Sequence, residues 1–151
     1  MCVFICPSKK TLFEVIPSSH SNIHFNNEVI ENDSINSLDF EFLYNGGGVA
    51  VGDFNKDGLP DLYFTGSTTS NKLYRNKGNL IFTGVPNTAH VTGEGEWSSG
   101  AAVVDINNDG LQDIYVCTTI KANPQQWKNL LYINQGLNSE KMPVFKEMTA
   151  E

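Results

Sequence analysis

Helical periodicity is missing from this chain: over 151 residues no segment of useful length repeats its apolar positions at helical spacing. A helical bundle is therefore excluded. Basic residues are few, 10 Lys and Arg against 17 Asp and Glu, and they form no patch, which argues against a nucleic acid partner. Catalytic motifs are missing as well. There is no G-x-S-x-G nucleophile motif and no clustered general acid and base outside two acidic loops, so the chain is not expected to be an enzyme. Three cysteines decide little by their number. Cys117 lies in a strand-like run and is expected to be a small core residue.

What the chain does contain is a duplicated loop. D-F-N-K-D-G-L-P-D at 53–61 and D-I-N-N-D-G-L-Q-D at 105–113 each place acidic or amide oxygens at positions 1, 3, 5 and 9, with glycine at position 6. Oxygens on alternate residues can converge on a hard cation such as Ca2+, the glycine turns the chain, and a backbone carbonyl at position 7 fills in. The first candidate set is Asp53, Asn55, Asp57 and Asp61, with the carbonyl of Leu59. The second is Asp105, Asn107, Asp109 and Asp113, with the carbonyl of Leu111. Two calcium ions are expected.

An EF-hand shares this opening but needs a glutamate at position 12 and helices on both sides. Position 12 is Phe64 in one loop and Val116 in the other, and the flanks read as short strands. Asp, Asn and Gly are also ordinary turn residues. Three aspartates in one loop argue against a plain turn, because two unit charges about 4 Å apart repel by roughly 4 kcal/mol at an effective dielectric near 20. Six of the 17 acids sit in the two loops, so two calcium ions would bring the formal charge from −7 to −3.

The duplication extends past the loops. Asp53 and Asp105 are 52 positions apart, whereas N-K-L-Y-R-N-K-G at 71–78 and N-L-L-Y-I-N-Q-G at 129–136 are 58 apart, so the second copy has gained six residues within 119–128. That stretch carries Pro124 and Trp127. Each unit reads as strand, loop, strand, connector, strand, glycine turn, strand. The expected fold is all-β, with β-propeller-type blades of four antiparallel strands. About two blades are encoded, an incomplete propeller, and further blades are expected in a longer protein.

These residues resemble a known family. G-G-G-V-A-V-G-D-F-N-K-D-G-L-P-D-L-Y-F followed by N-K-L-Y-R-N-K-G is similar to the FG-GAP/VCBS repeat of integrin-α-like β-propellers, and most of all to bacterial VCBS-repeat proteins that often carry an ASPIC/UnbV domain. The resemblance spans residues 38–151 and includes no ASPIC/UnbV segment, so nothing that domain does is carried over. It implies calcium in the loops at the matching positions, and a propeller surface used for adhesion or for binding a protein or glycan ligand. A secreted or cell-surface setting follows, extracellular or in a bacterial cell envelope.

Residues 1–37 read as a Ser- and Asn-rich lead-in that wraps the propeller. M-C-V-F-I-C-P-S-K-K at its start is too short for a secretory signal and lacks the charged n-region. Apolar residues, Cys6 and then a polar tether resemble the end of a bacterial lipoprotein signal, although Ile5 stands where that motif has a small residue. Lipidation of Cys6 and a truncated start are both open readings. His20 and His24 read as surface residues, since the surrounding serines disfavour a helix. Phe40, Phe42 and Tyr44 alternate with polar residues as a half-buried strand would. Gly46, Gly47 and Gly48 lack the Lys-Ser/Thr of a phosphate loop and are expected to permit close backbone packing. Trp97, Trp127 and the loop Gly93–Gly95 are candidates for ligand contact, though Trp97 could equally pack between blades. A calcium-dependent polysaccharide-modifying enzyme and a purely architectural segment are the alternatives.

Overall fold

From Val49 onward the runs of β-branched and aromatic residues form strands, and the Gly- and Asn-bearing breaks between them form turns and connectors. A computed structural model describes residues 12–40, 43–119 and 128–149. Its first sheet holds β1 (Val49–Gly52), β2 (Asp61–Phe64), β3 (Lys72–Asn76) and β4 (Phe82–Gly84). Its second holds β5 (Ser98–Val104), β6 (Asp113–Thr118), β7 (Leu130–Leu137) and β8 (Pro143–Glu147). Both are antiparallel meanders in which every strand pairs with its sequence neighbour. The fold is all-β with two blade-like sheets of four strands, as expected, and neither sheet closes on itself.

The two sheets stack in one direction. Pairing of Ala50 with Tyr63 and of Tyr63 with Leu73 puts these three side chains on one face of the first sheet, here the forward face. Pairing of Ile114 with Tyr132 and of Asn134 with Phe145 sets Ile114, Tyr132 and Phe145 on the rear face of the second. These two faces enclose the core, joined by Phe54, Val85, Val91, Val116 and Leu130. Phe54 meets Phe145 edge-on at 5.8 Å, and Asn134 Nδ2 donates to the Phe54 carbonyl at 2.9 Å. Near-complete burial of such side chains contributes about 1.5–3 kcal/mol each. This interface therefore carries most of the stability of the pair.

Glycine sets how closely the sheets approach. A Cβ on Gly48 would lie 2.9 Å from Gly100 Cα, and one on Gly47 would run into the Thr65 carbonyl. Gly47 and Gly48 provide close backbone packing, whereas Gly46, at φ 74°, has nothing within 4 Å of a Cβ and serves the turn. Three expectations fail elsewhere. Among the described residues of the expected strand, Asp39, Phe40, Leu43 and Tyr44 are not in a strand: Asn36 Oδ1 accepts from the Leu38 and Asp39 amides, and the Phe40 N–H bonds back to the Asn36 carbonyl, so turns consume those amides. Ser18–Ser21 does form one helical turn, α1, closed by Asn22 in the left-handed region at φ 58°. Cys117 is on β6 but exposed, because it points from the forward face of the second sheet, which no described element covers. Cys2, Cys6, Phe42, Pro124 and Trp127 lie outside the described residues.

Candidate metal centres

Both acidic loops are the turns of the first hairpin in their sheet. Gly52 pairs with Asp61 across one and Val104 with Asp113 across the other. The local geometry is duplicated almost to the degree: Lys56 and Gly58 have φ of 58° and 82°, Asn108 and Gly110 of 57° and 81°. These positive φ values turn the chain so that side-chain oxygens gather inward.

Within the first loop Asp57 N donates to Asp53 Oδ1 and to Asn55 Oδ1, each at 3.1 Å, and Gly58 N donates to Asp53 Oδ2 at 2.8 Å. Asn55 Nδ2 donates to Asp57 Oδ2 at 2.8 Å, and Leu59 N to Asp57 Oδ1 at 2.9 Å. The second loop repeats each bond: Asp109 N to Asp105 and Asn107 at 3.1 Å, Gly110 N to Asp105 at 2.9 Å, Asn107 Nδ2 to Asp109 at 2.8 Å, Leu111 N to Asp109 at 2.7 Å. Asp53, Asn55 and Asp57 are thereby brought together, as are Asp105, Asn107 and Asp109.

The ninth position is different in kind. Asp61 is buried, its two oxygens accepting from Phe54 N at 3.1 Å and Asn76 N at 2.8 Å. Asp113 is buried likewise, accepting from Ile106 N at 3.0 Å and Asn134 N at 2.8 Å. Burial pushes the Asp61 carboxyl up to about 6; the two amide bonds oppose this, and the Asp57 and Asp53 carboxylates reinforce it. Each carboxylate oxygen has a second lone pair, so amide bonding leaves Asp61 and Asp113 able to coordinate.

The chemistry of the donor set fits a hard cation. Among the described residues no three His, Cys, Asp or Glu side chains form a metal cluster. A cage here must mix carboxylate, carboxamide and backbone oxygen, which is what calcium accepts and softer metals do not favour. The two loops also touch: Asp53 N donates to Gln112 Oε1 at 2.5 Å.

Asn76 and Asn134 are the contributors that loop spacing does not reveal. Asn76 Nδ2 donates to the Pro60 carbonyl and its Oδ1 accepts from Gly78 N, both at 2.8 Å. Asn134 makes the matching bonds to the Gln112 carbonyl at 3.1 Å and from Gly136 N at 2.9 Å. Each ties the loop to the β3 or β7 turn. The signal was the Asn shared by L-Y-R-N and L-Y-I-N.

In a meander successive turns alternate between ends, so the connectors 65–71 and 85–97 lie at the end opposite the acidic loops. Trp97 is half-buried there, its ring stacked on Phe40 at 5.8 Å. A depression of about 370 Å³ beside it is lined by Thr68, Thr69, Ser70, Glu94 and Gly95. Gly93 instead backs onto Asn71, Leu130 and Tyr132.

Two stacked four-stranded sheets, each opening on an acidic hairpin loop, define an all-β repeat protein assembled from propeller-type blades. Residues 53–116 match the family of FG-GAP-like repeats, a span that runs through both loops to β6. The chain thus carries an FG-GAP-like repeat over that span. No curated protein gives a significant match to it.

Proposed function

We propose that this chain is a calcium-binding β-propeller-type repeat segment of a secreted or cell-surface protein, acting in adhesion or in binding a protein or glycan ligand. The observation that carries the reading is the duplicated loop, with the same donors, hydrogen bonds and φ values in both copies. Asp53, Asn55, Asp57, the Leu59 carbonyl and Asp61 would hold one ion; Asp105, Asn107, Asp109, the Leu111 carbonyl and Asp113 would hold the other. The ion neutralises the clustered carboxylates and fixes the hairpin turn. Asp61 and Asp113 connect it to β3 and β7 through backbone amides.

The ligand would sit at the opposite end, where an indole, hydroxyls and a carboxylate surround the depression beside Trp97. No catalytic role is proposed. Further blades of a longer protein would cover the forward face of the second sheet, and Cys6 would supply a membrane tether if lipidated. Among the described residues no helix is long and apolar enough to cross a membrane.

Isothermal titration with calcium tests the metal reading. The wild type should take two ions, and Asp57→Ala and Asp109→Ala one each, with affinities on the order of micromolar to millimolar as in extracellular modules. Magnesium should compete poorly, because it sheds its water reluctantly. A stoichiometry unchanged by either substitution, or no calcium response, rejects the assignment. A glycan and protein array, with turnover of each bound glycan followed, separates binding from catalysis.

A further inference from the structure

The rear face of the first sheet is the repeat equivalent of a face that docks a blade. Phe64, Tyr74 and Phe82 there correspond to Val116, Tyr132 and Phe145, all three buried beneath the first sheet. No blade precedes the first sheet in this structure, yet Tyr74 and Phe82 are buried as well. The lead-in covers them. Phe25 stacks on Phe64 at 5.1 Å, and His24 N donates to Tyr74 Oη at 3.2 Å. Asn22 Nδ2 donates to the Phe82 carbonyl at 3.2 Å, and His20 Nε2 lies 2.9 Å from the Asn79 carbonyl oxygen.

This cover is partial and loosely held. Val49 and Val51, on the same face of β1, stay 53% and 57% exposed. A cavity of about 510 Å³ remains along the seam, lined by Ile16, Ile23, Leu62, Leu80 and Phe82. Asn27 also donates to Ser67 Oγ and accepts from Ser67 N, and Thr68 Oγ1 donates to the Glu28 carbonyl. One aromatic stack and these six hydrogen bonds, worth about 1 kcal/mol each, are weak beside the apolar core between the sheets. At the other end of the stack, the forward face of the second sheet is bare of cover from the described residues, with Ala102, Val104 and Cys117 exposed.

We propose that residues 16–28 mask a blade-docking surface, and that uncovering it lets a second copy of this chain dock there through the forward face of its second sheet. The geometry already exists within the chain, where the forward face of the first sheet sits on the rear face of the second. Such a contact is heterologous and joins copies head to tail. The lead-in keeps the stack from growing at that end, as polar caps do in repeat arrays. The proposal rests on sheet stacking and not on the metal reading.

Sedimentation velocity over a range of concentrations tests it in the full chain with calcium present. Phe25→Asp should yield species at least twofold heavier than the wild type, growing with concentration. Adding Ala102→Asp, on the bare forward face, should return the mass to the wild-type value. A folded Phe25→Asp variant that sediments like the wild type overturns the proposal. So does assembly that survives Ala102→Asp, or a wild type already as heavy as the variant. Should Phe25→Asp fail to fold by circular dichroism, the milder Asn22→Ala/Asn27→Ala variant is read against the same outcomes.

Discussion

Asn76 and Asn134 show how one side chain can organise a turn. Each satisfies a carbonyl on the acidic hairpin and an amide on the neighbouring glycine turn while itself buried. Replacing either with alanine strands both partners, and removal of a buried hydrogen-bonding group costs roughly 1–3 kcal/mol. Urea unfolding of Asn76→Ala and Asn134→Ala should therefore each show a loss of about 2 kcal/mol. Asp61 adds a pH dependence. Its folded value, about 6, stands above the ordinary 3.8, so the folded chain holds this proton more tightly than the unfolded chain. Without calcium its contribution to stability is greatest below the ordinary value and is lost as pH rises through about 6. For the proposed calcium site the sign is opposite, since the proton competes with the ion. Calcium titrations at descending pH should show the first loop weakening as pH falls through about 6.

At the scale of elements, equivalent positions have unequal environments. Phe54 and Ile106 both follow the first aspartate of a loop, yet Phe54 is 1% exposed and Ile106 53%. The difference comes from stacking: Phe54 is under Phe145, and Ile106 has no sheet over it. Phe54→Ala should cost about 3–5 kcal/mol, as large-to-small core substitutions do, whereas Ile106→Ala should stay within about 0.5 kcal/mol. Equal losses from the two, measured by chemical denaturation, would contradict the one-directional stack. Gly48 is a second such element. With Gly100 Cα 2.9 Å from a Cβ placed there, Gly48→Ala should force β1 from β5 and destabilise by about 1–3 kcal/mol, read as a lowered melting temperature.

For the whole molecule, the stack has a covered end and an open one. Adding a third repeat after β8 should raise stability, because the exposed forward face of the second sheet would gain the cover that the first already has. Thermal unfolding of the extended chain against the original checks this, and an unchanged midpoint would mean that the forward face needs no partner. Far-UV circular dichroism should show a β signal with no dominant helical component, since the described helix amounts to one α turn and one 3-10 turn.

The sequence by itself determined the local features. Two D-x-N-x-D-G loops, strand-like flanks and a recurring L-Y-x-N turn were enough for the strand order, the hairpins and the oxygen-rich turns, because each depends on contacts within a few residues. It left undecided whatever depends on which face meets which. Cys117 has the local sequence of a core strand and is exposed, because a period of two specifies that faces alternate without specifying which one is covered. The 39–44 segment alternates as a strand would, yet Asp39 and Phe40 are in a turn because Asn36 captures their amides. Only the tertiary structure decided that Asp61 and Asp113 look inward to backbone amides, and that the lead-in lies over the rear face of the first sheet. Long-range packing set both, and no local pattern encodes it.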